Sequence, residues 1–138
     1  MENIELGIAT GAWEKSALLK LNAIRIDVKD ISFSNSDYHK SRQAISQDVI
    51  SQLQQKSKNS PDQIIYFGDG QWDYETCQSL GIDFIGIDVE RNGKLTNLGA
   101  KTVFRDFKDK NRILNAIYQK SWGKAFTYNT ICTNITST

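Results

Sequence analysis

Two aspartates four residues apart, Asp69 and Asp73, follow directly on the apolar run QIIYF at 63–67, inside the stretch GDGQWD. Two carboxylates with water and a substrate phosphate form the ligand set that magnesium prefers, because the ion is hard and gives up its waters reluctantly. The same spacing suits a plain helix start, with Asp73 as its cap and Asp69 holding the loop. Spacing alone does not separate the two. Gly68 and Gly70 let the backbone come close to a bound group. A second polar turn, ATG at 9–11, ends another apolar run. There Thr10 offers a hydroxyl, and Gly11 and its neighbours offer free N–H groups to a phosphate. A third candidate is HKSR at 39–42. Lys40 and Arg42 open a helix, where the helix dipole disfavours a cation. Neutralising phosphate is one reason to place a cation there, and arginine can grip phosphate with two parallel bonds. An ordinary charge pair on a solvated helix is the other. His39, the one histidine, reads as a surface residue.

These residues need a framework that brings three distant turns together. IELGIA at 4–9 reads as a buried strand, and WEKSALLKL at 13–21 as a helix with Ala17, Leu18 and Leu21 on one face. Residues 24–28 and 31–33 form a connection with strand character. Ser34 to Asp37 has cap chemistry and predicts a helix from about His39 to Lys56, with Ile45, Val49, Ile50 and Leu53 inside. SKNSPD at 57–62 is a loop, 63–67 a strand, and Gly68-Asp69-Gly70 turns it into a helix ending near Gly81. DFIGID at 83–88 is a third strand, 89–99 a turn-rich excursion and 101–104 a short strand. A helix follows over 109–119, with Ile113, Leu114, Ile117 and Tyr118 on one side. Strands alternating with helices predict a parallel sheet with helices on its faces. Such sheets bind ligands at the carboxyl ends of their strands. The tail from Ser121 has no periodicity and reads as irregular. Its Asn134-Ile-Thr136 fits a glycosylation sequon, with nothing to suggest secretion.

The 138 residues suffice for one domain, with 39% hydrophobic and 24% charged residues. A net charge of +1 gives no reason to expect nucleic acid or an anionic membrane as partner. No apolar run approaches the roughly 18 residues needed to span a bilayer. Cys77 and Cys132 match neither a zinc spacing nor a disulfide framework. A cytoplasmic location is the expectation.

The order ATG, HKSR, GDGQWD resembles three consecutive motifs of the haloacid dehalogenase superfamily. The likeness is concentrated in GIATGAWEKSALLKL and GDGQWDYETCQSLGIDFIGID, and covers roughly residues 4 to 107. It implies a three-layer α/β/α Rossmann-like domain over 1–120, followed by the irregular end at 121–138. It implies a magnesium-dependent phosphatase of small phosphorylated metabolites, close to the phosphoglycolate phosphatases. Thr10 would contact the transferring phosphoryl group and Lys40 or Arg42 would neutralise it. Asp69 would help hold magnesium, with Asp73 as a second ligand or an orienting group. Gly11, Gly68 and Gly70 would let the bound groups approach.

One departure is large. The family's nucleophile is the first aspartate of a DxDxT/V motif, on a strand before the ATG strand. This sequence starts three residues before that strand, so the resemblance implies an N-terminally truncated copy whose missing segment lies upstream or on another chain. Asp88 and Glu90 are the nearest substitute by spacing. The missing strand belongs at the centre of the sheet, between the strands of Thr10 and Asp69. Its loss would expose an apolar edge and favour self-association. Two other readings remain. One is a non-catalytic module that keeps a magnesium or phosphate site. The other is a nucleotide- or S-adenosylmethionine-binding domain, with YFGDGQW as the glycine loop and DFIGIDVE as the acidic strand end.

Overall fold

The computed structural model describes residues 4–56, 63–120 and 129–133. The chain starts with strand β1, Ile4–Ala9, and helix α1, Glu14–Ala23. A single 3-10 turn, Val28–Asp30, leads into β2, Ser32–Ser34. Helix α2, Arg42–Lys56, β3, Gln63–Gly68, and α3, Gln71–Leu80, follow. β4, Asp83–Ile87, is joined by the one-turn helix α4, Lys94–Asn97, to β5, Val103–Phe104. Helix α5, Lys110–Lys120, precedes β6, Asn129–Thr133. The loop expected at 57–62 and the sequon at 134–136 lie outside the described residues, and no described helix is long and apolar enough to cross a membrane.

All six strands pair in parallel, in the order β2-β1-β6-β3-β4-β5. Period-two alternation sends side chains of each strand to opposite faces, and the core divides accordingly. Tyr66 and Phe84 face one cluster, with Ile45, Val49 and Leu53 of α2 and Cys77 of α3. Ile65, Phe67, Ile85 and Ile87 face the other, with Ile113 and Ile117 of α5. Helices thus cover both faces, which is the predicted three-layer α/β/α arrangement. The predicted inner face of α2 is the buried one, whereas Tyr118 of α5 stays exposed. The 89–99 excursion contains α4, whose Leu95 is buried.

Two local expectations change. The polar cluster Ser34–Asp37 does not cap α2. Ser41 does, accepting from Ala44 N at 3.1 Å, so the helix starts three residues later than expected. The cluster works on its own loop and on α1: Asn35 Oδ1 accepts from Asp37 N at 2.9 Å, and Asp37 Oδ1 accepts from Glu14 N at 3.4 Å.

The larger change is at the sheet's centre. The segment 121–138, expected to be irregular, contains β6, and β6 fills the place between β1 and β3 where a strand was expected to be missing. Ile4 pairs with Asn129 and Ile8 with Thr133 on one side. On the other, Gln63 pairs with Asn129 and Phe67 with Thr133. The sheet is therefore continuous. Three of its five residues, Thr130, Ile131 and Thr133, are β-branched and suit a strand, but NTICT is too short and too polar to show a period of its own.

A proline in the middle of this strand removes a ladder hydrogen bond from the sheet centre. Cys132→Pro is expected to lower the melting temperature by roughly 10 °C, followed by circular dichroism. An unchanged melt would show that β6 does not hold the sheet together.

Candidate functional site

In a doubly wound sheet, a crevice opens where successive connections leave in opposite directions. Here β1 leads outward to β2, while β3 leads the other way to β4 and β5. The switch lies at the carboxyl edge of the central strand β6, between β1 and β3. Thr10 and Asp69 stand one residue past the ends of those two strands and flank it.

Thr10 is buried. Its backbone N–H donates to Ser34 O at 3.1 Å and its Oγ1 accepts from Ala12 N at 3.1 Å. The hydroxyl thus holds the ATG turn closed while sitting at the edge. Asp69 is exposed at the tip of the β3–α3 turn. Asp73 is different. It is fully buried, and three parts of the chain donate to it: Arg42 Nη1 to Oδ1 at 3.3 Å, Tyr66 Oη to Oδ1 at 3.2 Å, and Gly70 N to Oδ2 at 3.1 Å. As the third residue of α3, it caps that helix backward in the manner of a capping box. The geometry suits the orienting role expected for Asp73, since both its oxygens accept from protein donors, the guanidinium of Arg42 among them.

Of the two candidate cations, Arg42 is the one placed at the ATG turn. Its guanidinium pairs with Asp73 and lies 5.2 Å from the ring centre of Trp72. It also covers the ATG turn, since a Cβ built on Gly11 would lie 3.0 Å from Arg42 Nη2. One side chain thus links the end of β1 to the start of α3. With a third of its side chain accessible, the guanidinium can still meet a ligand. Lys40 is not brought in; it is exposed in the loop before α2. His39 sits 3.1 Å from Asp48 on α2 and takes no part.

Gly11, Gly68 and Gly70, expected to let bound groups approach, stand close to side chains of the chain itself on the side where a Cβ would project. A Cβ on Gly68 would lie 2.5 Å from Asp73 Cβ, and one on Gly70 2.7 Å from Trp72 Nε1. These glycines admit Asp73 and Trp72, as Gly11 admits Arg42. That occupancy also disfavours YFGDGQW as a pyrophosphate loop. Asp88 accepts from Asn92 N and Gly93 N and so holds its own loop, at the end of β4. Among the described residues no group of three or more His, Cys, Asp or Glu side chains stands together. A magnesium site here would rest on Asp69, substrate phosphate and water, a set compatible with that ion's habits. A cavity of about 540 Å³ lies elsewhere, between the start of β5 and α5, and contains none of these residues.

Sequence reading missed Tyr66. Burial, then the charge of Asp73, push its phenol well above the ordinary value of 10.0, so it remains a hydrogen-bond donor. The available signal was a tyrosine inside an otherwise aliphatic strand, whose Oη needs a partner when buried.

Two expected outcomes test this arrangement. Gly68→Ala forces Asp73 aside and should cost about 1–3 kcal/mol, read by urea denaturation. Tyr66→Phe removes one donor from a buried carboxylate and should cost roughly 1–3 kcal/mol. The raised phenol adds a pH signature. Below pH 10 the phenol is neutral folded and unfolded, so it contributes no slope. Above it, the unfolded chain ionises first and stability falls. The alkaline fall should be steeper in the native chain than in Tyr66→Phe.

A family model described as haloacid dehalogenase-like hydrolase matches residues 1–87, more than half of the chain. No curated protein and no solved structure matches.

Proposed function

We propose, on the premise that the chain belongs to the haloacid dehalogenase-like hydrolases, that it binds small phosphorylated metabolites between the ends of β1 and β3 and acts on them as a magnesium-dependent phosphatase. The observation that supports this most is Arg42. Sequence separates Thr10, Arg42 and Asp73 widely, yet the guanidinium lies on the ATG turn and is fixed from behind by Asp73 and Trp72. A cation held at a strand-end crevice, with its fork partly accessible, is suited to a phosphate dianion. The ring and carboxylate that fix it lower the ordering cost of that grip.

In this reading Thr10 lies against the transferring phosphoryl group and Arg42 neutralises it. Asp69 supplies the carboxylate for magnesium, with substrate phosphate and water completing the shell. Bound magnesium would polarise the phosphoryl oxygens and offset their charge. Asp73 keeps Arg42 in place and does not meet substrate. The branch the sequence resembles is that of the phosphoglycolate phosphatases.

A second reading is favoured by one fact: no two aspartates in the 138 residues are spaced as DxD. The carboxylate pair on which the family's covalent route depends is thus absent from this sequence as a motif. A module that binds phosphate and magnesium without turnover would need only Thr10, Arg42 and Asp69.

Both readings predict magnesium-dependent binding of inorganic phosphate, measured by calorimetry and lost in Asp69→Asn. They part on p-nitrophenyl phosphate. The phosphatase should hydrolyse it with magnesium, and Asp69→Asn should lower kcat/KM at least about 100-fold. Arg42→Lys, which keeps the charge and loses the fork, should raise KM more than it lowers kcat. Binding without turnover would leave the second reading standing. An absence of both would sink the two together.

A further inference from the structure

The rim of the crevice is aromatic. Trp13, Tyr38 and Trp72 each stand four residues past the end of a strand: Ala9 of β1, Ser34 of β2 and Gly68 of β3. Because the strands are parallel, all three project from the same edge, beside the crevice. Tyr38 and Trp13 are the two most exposed large hydrophobic residues among those described, at 77% and 75%, and Trp72 is half exposed. The loops bearing the first two are tied together, by Glu14 N to Asp37 Oδ1 and by Ser36 N to Ala12 O at 3.3 Å. Trp72 already shows what these rings can do, since it carries the guanidinium of Arg42. Trp13 and Tyr38 make no ring–ring or ring–cation contact among the described residues.

We infer that Trp13 and Tyr38 select a substrate whose leaving group contains a planar ring, so that the preferred ligands are phosphate monoesters of nucleosides or aryl alcohols. The inference rests on the phosphate site proposed above. A phosphate seated at Thr10 and Arg42 directs its ester oxygen outward, past the loops that follow β1 and β2. What leaves the crevice there meets two flat, solvated, apolar faces. A planar ring stacks on such faces whatever its hydrogen-bonding pattern, and removal of one aromatic partner typically weakens binding by about tenfold. A flexible aliphatic phosphate gains nothing from them.

The test uses the full chain and its Trp13→Ala/Tyr38→Ala double variant. Four probes are titrated by calorimetry: adenosine 5′-monophosphate, p-nitrophenyl phosphate, glycerol 3-phosphate and adenosine. Both substituted aromatic positions are exposed, so the double variant keeps its core. The two ring-bearing phosphates should bind at least about tenfold tighter than glycerol 3-phosphate. That advantage should vanish in the double variant while the affinity for glycerol 3-phosphate is unchanged. A preference for the adenosine ester over p-nitrophenyl phosphate identifies the nucleoside as the class; equal binding of both ring-bearing esters identifies any aryl group. Equal binding of all three phosphates by the native chain overturns the inference, as does an equal loss for all three in the double variant. Adenosine separates this from failure of the phosphate site. Should no phosphate ester bind, adenosine binding that the double variant abolishes still supports the aromatic rim. Its absence overturns the rim as well.

Discussion

A carboxylate with no access to water is the constraint around which this molecule is arranged. Asp73 lies under the sheet's carboxyl edge, and burying a charge there is tolerable only if donors surround it. The donors come from three places: Tyr66 within β3, the Gly70 amide in the turn and Arg42 at the start of α2. Satisfying Asp73 therefore fixes the α3 start, the β3 turn and the approach of α2 at once. Gly68 and Gly70 follow from the same need, since any larger residue would occupy the space of Asp73 or Trp72. The accessible groups, Asp69 and the guanidinium of Arg42, are presented by this buried support.

The arrangement explains why catalytic-looking residues divide into two kinds. Asp69 and Asp73 have identical chemistry and sit four residues apart, but one faces solvent and the other is sealed. Lys40 and Arg42 are both cations near a helix start, but only Arg42 reaches across to Gly11. In each pair the fold, through burial and reach, assigns different work to similar residues.

Much of this was legible beforehand. The strand segments at 4–9, 63–67, 83–88 and 101–104, the strand character of 31–33, the helices between them and the parallel sheet follow from periodicity and punctuation, because burial of both sheet faces favours apolar runs. The turns at Thr10 and Asp69 were legible for the same reason: polar residues stand where apolar runs stop. What could not be read was long-range. The choice between Lys40 and Arg42 depends on how α2 crosses the sheet, and the partner of Asp73 at Tyr66 depends on which way a strand residue points. The strand at 129–133 was missed because its partners, β1 and β3, supply the order that its own five residues do not announce.

That strand has a consequence for how the protein acquires its shape. In the central ladder Ile4 pairs with Asn129, residues from almost opposite ends of the described chain. Contacts of such separation demand closure of a very long loop before they return any stabilisation, and topologies rich in them fold slowly. A ribosome would release β1 and β3 long before β6 could join them. Until then two strands destined for the centre behave as edges, with unpaired amides facing outward. The final strand thus acts as a keystone, and the interval before it is set is when this chain is most open to pairing with its neighbours.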